Sequence, residues 1–162
     1  MKPETFDRLF DQHASPLLAF LTYRLGDRAS AEDVLADTFE RALRKRRTFD
    51  PRRGNEKAWL YAIALNLVRD RGRRAASEER ALTRAAPLPS EVAADPLQQV
   101  ELRQTVGEAL RVLTDEEREA VSLRYGADLT LPEIARLLKV PLSTVEGRVY
   151  RALRKLREEL VP

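Results

Sequence analysis

The sequence contains no cysteine and only one histidine, His13, which excludes disulfides, thiolate zinc sites, cysteine nucleophiles and histidine-based metal clusters. Aromatic residues are scarce at 6%, and no apolar run exceeds the eight residues Ala58–Leu65, far short of a membrane span. The opening residues, Met1–Asp7, carry acids where a secretory leader needs apolar side chains. No glycine-rich phosphate loop and no nucleophile–base set can be assembled, so catalytic residues, a bound metal and a cofactor are all expected to be absent. These absences predict a cytoplasmic protein that is neither an enzyme nor a membrane protein.

Charge is what the sequence has in quantity: 34% of its 162 residues are Asp, Glu, Lys or Arg, with a net charge of +3. The net value hides a segregation. Residues 1–76 hold 16 basic and 11 acidic side chains, whereas residues 77–98 hold 2 and 4. Residues 99–162 are balanced, yet five basic residues fall between Arg148 and Arg157 with no acid among them. Of the 29 basic residues 24 are Arg, whose planar fork suits phosphate and guanine edges. Clustering of this kind points to a polyanionic partner.

Apolar residues recur with the helical period throughout, and no segment alternates as a strand. Phe6, Leu9, Phe10, Leu17, Leu18 and Leu21 predict a first helix, bent at Pro16 and ending near Gly26. A second helix is expected from Ser30 as N-cap, with Val34, Leu35, Thr38, Phe39, Ala42 and Leu43 as its buried stripe. A third is expected from Glu56 to Arg71, with Trp59, Leu60, Ile63, Leu67 and Val68 inward. Trp59 fits the core better than an exposed stacking platform, because Leu60 and Ile63 beside it are core positions; Tyr61 fits either. Between Gly72 and Asp95 the periodicity stops and Pro87, Pro89 and Pro96 accumulate, which reads as a tether. The fold class is therefore all-α: two small helical domains, residues 1–75 and 97–162, joined by a flexible linker over 76–96.

The second domain is expected to open with a helix over Leu97–Leu113. Three Ser/Thr-x-x-Glu signatures follow: Thr114 with Glu117, Thr130 with Glu133, and Ser143 with Glu146. The last two are 13 residues apart, the spacing of a helix-turn-helix. Ile134, Ala135 and Leu138 would pack its first helix; Val145, Val149, Ala152, Leu156 and Leu160 would pack its second. Thr144, Glu146, Gly147, Arg148, Tyr150, Arg151, Arg154 and Lys155 lie outward or on the flanks of the second helix. A helix of this kind fits the major groove of DNA, with its first residues at base edges and later basics at phosphates. Glu146 has two competing roles, closing a capping box on Ser143 or meeting a cytosine in the groove.

The stretch Leu129–Leu160 resembles region 4 of bacterial sigma factors. Ala31–Ala42 resembles their region 2.2, and Ala58–Asn66 with Asp70, Arg73 and Arg74 resembles the helix that reads the −10 element. With only two domains and a linker, the chain is similar to the extracytoplasmic-function (ECF) group, over residues 6–75 and 98–160. Ala36, Leu43, Lys139 and Ser143 depart from the family's usual Gln, Trp, Gly and Gly.

The resemblance implies a factor that binds core RNA polymerase and directs initiation at promoters. The acids Asp33, Asp37 and Glu40 share one helix face, and with Arg44 they are the residues expected at the β′ clamp helices; region 4 is expected at the β flap. The −10 element is assigned to Arg47, Phe49, Arg52, Arg53, Asn55, Lys57, Asn66, Asp70, Arg73 and Arg74, and the −35 element to the eight outward residues from Thr144 to Lys155 named above. In this reading the loop Thr48–Asn55 captures a non-template base, and an anti-sigma factor is a further expected partner. The alternative from another class is a helix-turn-helix regulator that binds an operator without polymerase.

Overall fold

The computed structural model describes residues 1–82 and 108–161, whose regular structure is helical throughout. The chain divides into two units, Met1–Val92 and Ala93–Pro162.

In the first unit, α1 (Pro3–Leu25) begins on a proline, whose φ is already helical, and ends at Gly26 with φ 72°. Helix α2 (Arg28–Lys45) is capped by Asp27, not by Ser30 as expected. The Asp27 carboxylate accepts the amides of Ala29 and Ser30 at 3.2 and 3.1 Å and the Ser30 hydroxyl at 2.6 Å. One carboxylate thus satisfies two orphan amides, and the hydroxyl that would have capped the helix becomes its donor. A single 3-10 turn, Arg46–Thr48, leads into the loop before α3 (Glu56–Leu82). Helix α3 extends beyond the expected end at Arg71 and into the segment read as linker. Residues 72–82 are rich in Arg, Ala and Glu, so intrinsic propensity carries the helix where no apolar period marks it.

Leu9, Leu17 and Leu21 of α1, Val34 and Ala42 of α2, and Leu60, Tyr61 and Leu65 of α3 are fully buried. Each such leucine contributes about 2 kcal/mol through burial. Two positions assigned to the apolar stripes are exposed, Phe10 at 46% and Leu43 at 42%, while Phe6, Leu18 and Leu35 are half-buried. Phe10 still lies edge-on to Phe39 at 4.7 Å, covering it from outside. Tyr61 belongs to the core, with its ring 5.4 Å from that of Phe20. Burial pushes its phenol up to about 12, and its hydroxyl has no hydrogen-bond partner among the described residues.

In the second unit, residues 108–110 are helical; the rest of the expected helix up to that point lies outside the described residues. Helix α4 (Asp115–Val121) opens with a complete capping box. The Glu117 amide donates to the Thr114 hydroxyl at 3.2 Å, and the Thr114 amide donates to the Glu117 carboxylate at 3.1 Å. A π turn at Ser122–Gly126 and a short loop lead to α5 (Leu131–Leu138), which is boxed in the same way by Thr130 and Glu133. Helix α6 (Leu142–Leu160) follows after a turn through Lys139, Val140 and Pro141. Leu110, Leu113, Val121 and Ala152 form one buried cluster with Leu156 against it, and Ile134, Leu138, Val145 and Val149 are buried beside the turn. Leu160, expected inside, is 47% exposed.

The third predicted capping box does not form. Helix α6 begins at Leu142 with Pro141 at the N-cap, so Ser143 already lies inside the first turn. The Pro141 carbonyl accepts the amides of Thr144 and Val145 at 3.0 and 3.4 Å. Ser143 is too late in the helix to cap it, and Glu146 is left exposed with no box to close.

The turn between α5 and α6 places Lys139 at φ 57° and ψ 45°, the left-handed region. The Val140 amide reaches back to the Ala135 carbonyl at 3.1 Å, as in a Schellman closure. Lys139 is exposed, so the strain of a Cβ in this backbone region is the effect that decides its cost. Lys139→Gly is expected to stabilise this unit by about 1 kcal/mol. A urea melt followed by circular dichroism should show the midpoint rise, and an unchanged or lower midpoint would contradict the strain argument.

Candidate nucleic-acid interface

The first unit presents its basic residues around the loop between α2 and α3. Arg44, Lys45 and Arg47 are exposed at the end of α2 and in the turn after it, and the Arg52 and Arg53 side chains are 94% and 89% exposed. The loop holds its shape through Asp50, whose carboxylate accepts the Arg52 amide at 3.0 Å. Asn55 ends it by accepting the Ala58 amide at 2.7 Å, which makes Asn55 the cap of α3 as well as a candidate contact. Phe49 turns inward to the Trp59 ring at 5.3 Å, so Trp59 is half-buried under the loop.

Along α3, Asn66 is exposed, Asp70 half-buried, and Arg73 and Arg74 exposed, at spacings that put Asn66, Asp70 and Arg73 on one side of the helix. Asp70 accepts from Arg73 at 2.8 Å. That side also carries Trp59, so the loop, the tryptophan and Asn66 follow one line. An amide, a guanidinium and a half-buried indole in line give an adenine edge, a phosphate and a base face each a fitting partner.

The acidic face of α2 is less uniform than its spacing suggests. Asp33 pairs with Arg71 of α3 at 3.7 Å, and Glu40 pairs with Arg44 within the helix. Asp37 is exposed and makes no ion pair among the described residues.

On α6, Glu146, Tyr150, Arg151 and Arg154 are exposed, while Thr144, Gly147, Arg148 and Lys155 are half-buried. Two of its basic residues are held from behind. Lys155 donates to the Glu117 carboxylate at 2.9 Å, and Arg151 approaches the same carboxylate at 3.7 Å. The bond from Lys155 holds the Glu117 carboxyl below the usual carboxylate range, against the opposing effect of burial. Gly147 gives Arg151 room to fold back: a Cβ there would lie 3.1 Å from the guanidinium. In the sequence Glu117 reads only as a capping acid. It stands one helical turn from Leu113 and Val121 on the buried stripe of α4, and an acid on an apolar stripe is the signal that marks it. His13 carries the same signal, midway between Leu9 and Leu17.

The Sigma-70 region 2 family matches residues 9–78 and the Sigma-70 region 4 family matches residues 109–158. The chain belongs to the sigma-70 family. Among its relatives, the ECF RNA polymerase sigma factor SigW of Bacillus subtilis is 34% identical over 152 residues, covering 86% of this chain and 81% of that protein. The ECF RNA polymerase sigma factor BldN of Streptomyces coelicolor is 32% identical over 156 residues, covering 94% of this chain but 59% of that longer protein. Within the family, the chain is of the ECF group. The structure of RpoE bound to the anti-sigma factor NepR from Bartonella quintana is similar, with a TM-score of 0.84 at 27% identity, covering 97% of each chain. CnrH in complex with the cytosolic domain of CnrY has a TM-score of 0.69 at 29% identity, over 98% of this chain and 89% of that one. No helix among the described residues is long and apolar enough to cross a membrane.

Proposed function

We propose that this chain binds core RNA polymerase and directs promoter-specific initiation, with region 2 at the −10 element and region 4 at the −35 element. The observation that carries the reading is the pairing of two family domains in one chain, each with a basic outward face. A helix-turn-helix regulator would need only α5 and α6. It would leave the loop Thr48–Asn55, the line from Trp59 to Arg73 and the acids of α2 without a purpose. The factor works by positioning and neutralising nucleic acid, not by catalysis. An anti-sigma partner is proposed on the strength of the similar complexes. Run-off transcription with purified core polymerase tests the whole reading. Initiation at defined promoters only when both proteins are present is the expected result; operator binding by the free protein with no initiation would favour the regulator.

Region 4 reads DNA through the first turns of α6, with Arg148 and Tyr150 on the flanks and Arg154 at phosphates. That Glu146 has no capping duty supports the groove role, in which its carboxylate accepts from a cytosine N4. Glu146→Gln and Glu146→Ala are both expected to relax preference at one −35 base pair by several-fold, about 1 kcal/mol, with melting temperature nearly unchanged. A −35 saturation library transcribed with each variant reads this out. Loss of thermal stability in the alanine variant with preference intact would restore the capping role.

A further inference from the structure

The loop after α2, the start of α3 and the middle of α1 enclose a shallow open hollow. Phe49 and Pro51 supply apolar surface, Asn55 and Lys57 supply polar groups, and His13 of α1 faces them. The aromatic wall is backed by Trp59 and the exposed guanidinia of Arg52 and Arg53 lie in the same loop. A flat apolar wall near cationic side chains suits one unstacked nucleobase, whose faces are apolar and whose sugar is flanked by phosphates.

We propose that His13 is a specificity-determining residue of this hollow, its imidazole hydrogen-bonding the edge of a single unstacked base of the promoter strand. The inference rests on the promoter-recognition reading above and adds to it a reader from outside the loop and α3. The groups that act on the ring are Lys57 and Glu56, both of α3, with Glu56 itself 3.6 Å from Arg8 of α1. Burial and the Lys57 charge favour the neutral ring, and Glu56 opposes them less strongly, so the imidazole is held below its ordinary value. A neutral imidazole offers one donor and one acceptor, which suits a base edge. A phosphate contact would call for the cation.

The test is transcription by the reconstituted holoenzyme on a library varying every −10 position, with wild type, His13→Leu and His13→Gln, each checked for helicity by circular dichroism. His13→Leu is expected to flatten preference at one −10 position by about fivefold, the worth of one hydrogen bond. Preferences elsewhere and at −35 should persist. His13→Gln, which keeps a donor and an acceptor, should retain that preference. Because His13 is the chain's one histidine, acidification should weaken the wild-type preference at that position and leave the glutamine variant unmoved. A uniform fall across all sequences, an unchanged profile, or a preference that strengthens in acid would overturn the inference while leaving promoter recognition standing. Absence of any promoter-specific initiation by wild type would remove both.

Discussion

Glu117→Ala is expected to lower the stability of the second unit by about 3 kcal/mol, the range for breaking a buried pair together with a capping bond. The Glu117 side chain is only 6% exposed, yet three groups depend on it: the Thr114 amide, Lys155 at 2.9 Å and Arg151 at 3.7 Å. It joins the start of α4 to the middle of α6 and so fixes the roll of the recognition helix. Lys155 is 32% exposed, which moderates the ionic part. Glu117→Gln keeps an oxygen for the Thr114 amide and loses the charge, so it should cost less than the alanine change. The dependence on acid has a definite sign. The folded carboxyl lies below its ordinary value, so its contribution is complete above the unfolded value and is lost as pH falls through the folded one. Melts followed by circular dichroism at neutral and acid pH would register both effects. Trp59, the one tryptophan, lies in the first unit, so its fluorescence reports that unit and circular dichroism is needed to follow the second. An alanine variant within 0.5 kcal/mol of wild type, the range of an ordinary surface change, would show that the network is ornamental.

Asp37→Arg is expected to weaken binding to core polymerase at least tenfold and to leave helicity intact. The neighbouring acids are committed, Asp33 to Arg71 and Glu40 to Arg44, whereas Asp37 makes no ion pair among the described residues. Reversal there breaks no ion pair among the described residues, and the new repulsion from Arg41 one turn on amounts to a few tenths of a kcal/mol. An effect on binding with no effect on folding is therefore the signature of an interface residue. A pull-down with tagged core polymerase measures it; undiminished capture of the arginine variant would remove α2 from the proposed interface. The same change at Asp33 would be harder to interpret, since it also breaks a contact to α3.

Within each helix, patterns that close over three or four residues were legible in the sequence. The apolar stripes, the capping boxes at Thr114 and Thr130, and the eight-residue helix before the turn are of this kind, because each is a contact between near neighbours. Two local readings failed where another local group won: Asp27 took the cap from Ser30, and Pro141 started α6 ahead of Ser143. The extension of α3 was missed because propensity without an apolar stripe leaves no periodic mark. The loop basics and the line from Asn66 to Arg74 were also readable, since charge and polarity identify an outward face without any knowledge of what lies behind it.

Only the tertiary structure decided how the inward and flanking groups are used. Lys155 and Arg151 read as ordinary basics of a recognition helix until α4 brings Glu117 beneath them, and His13 reads as a helix residue until α1 sets it across from Phe49 and Lys57. Tyr61 could have faced either way, and the packing of α1 on α3 put its ring against Phe20. Helical periodicity tells which stripe is buried, but the partner met by one side chain depends on the relative roll and depth of two packed helices. That is set by the whole core at once, so it is written in no single stretch of the chain.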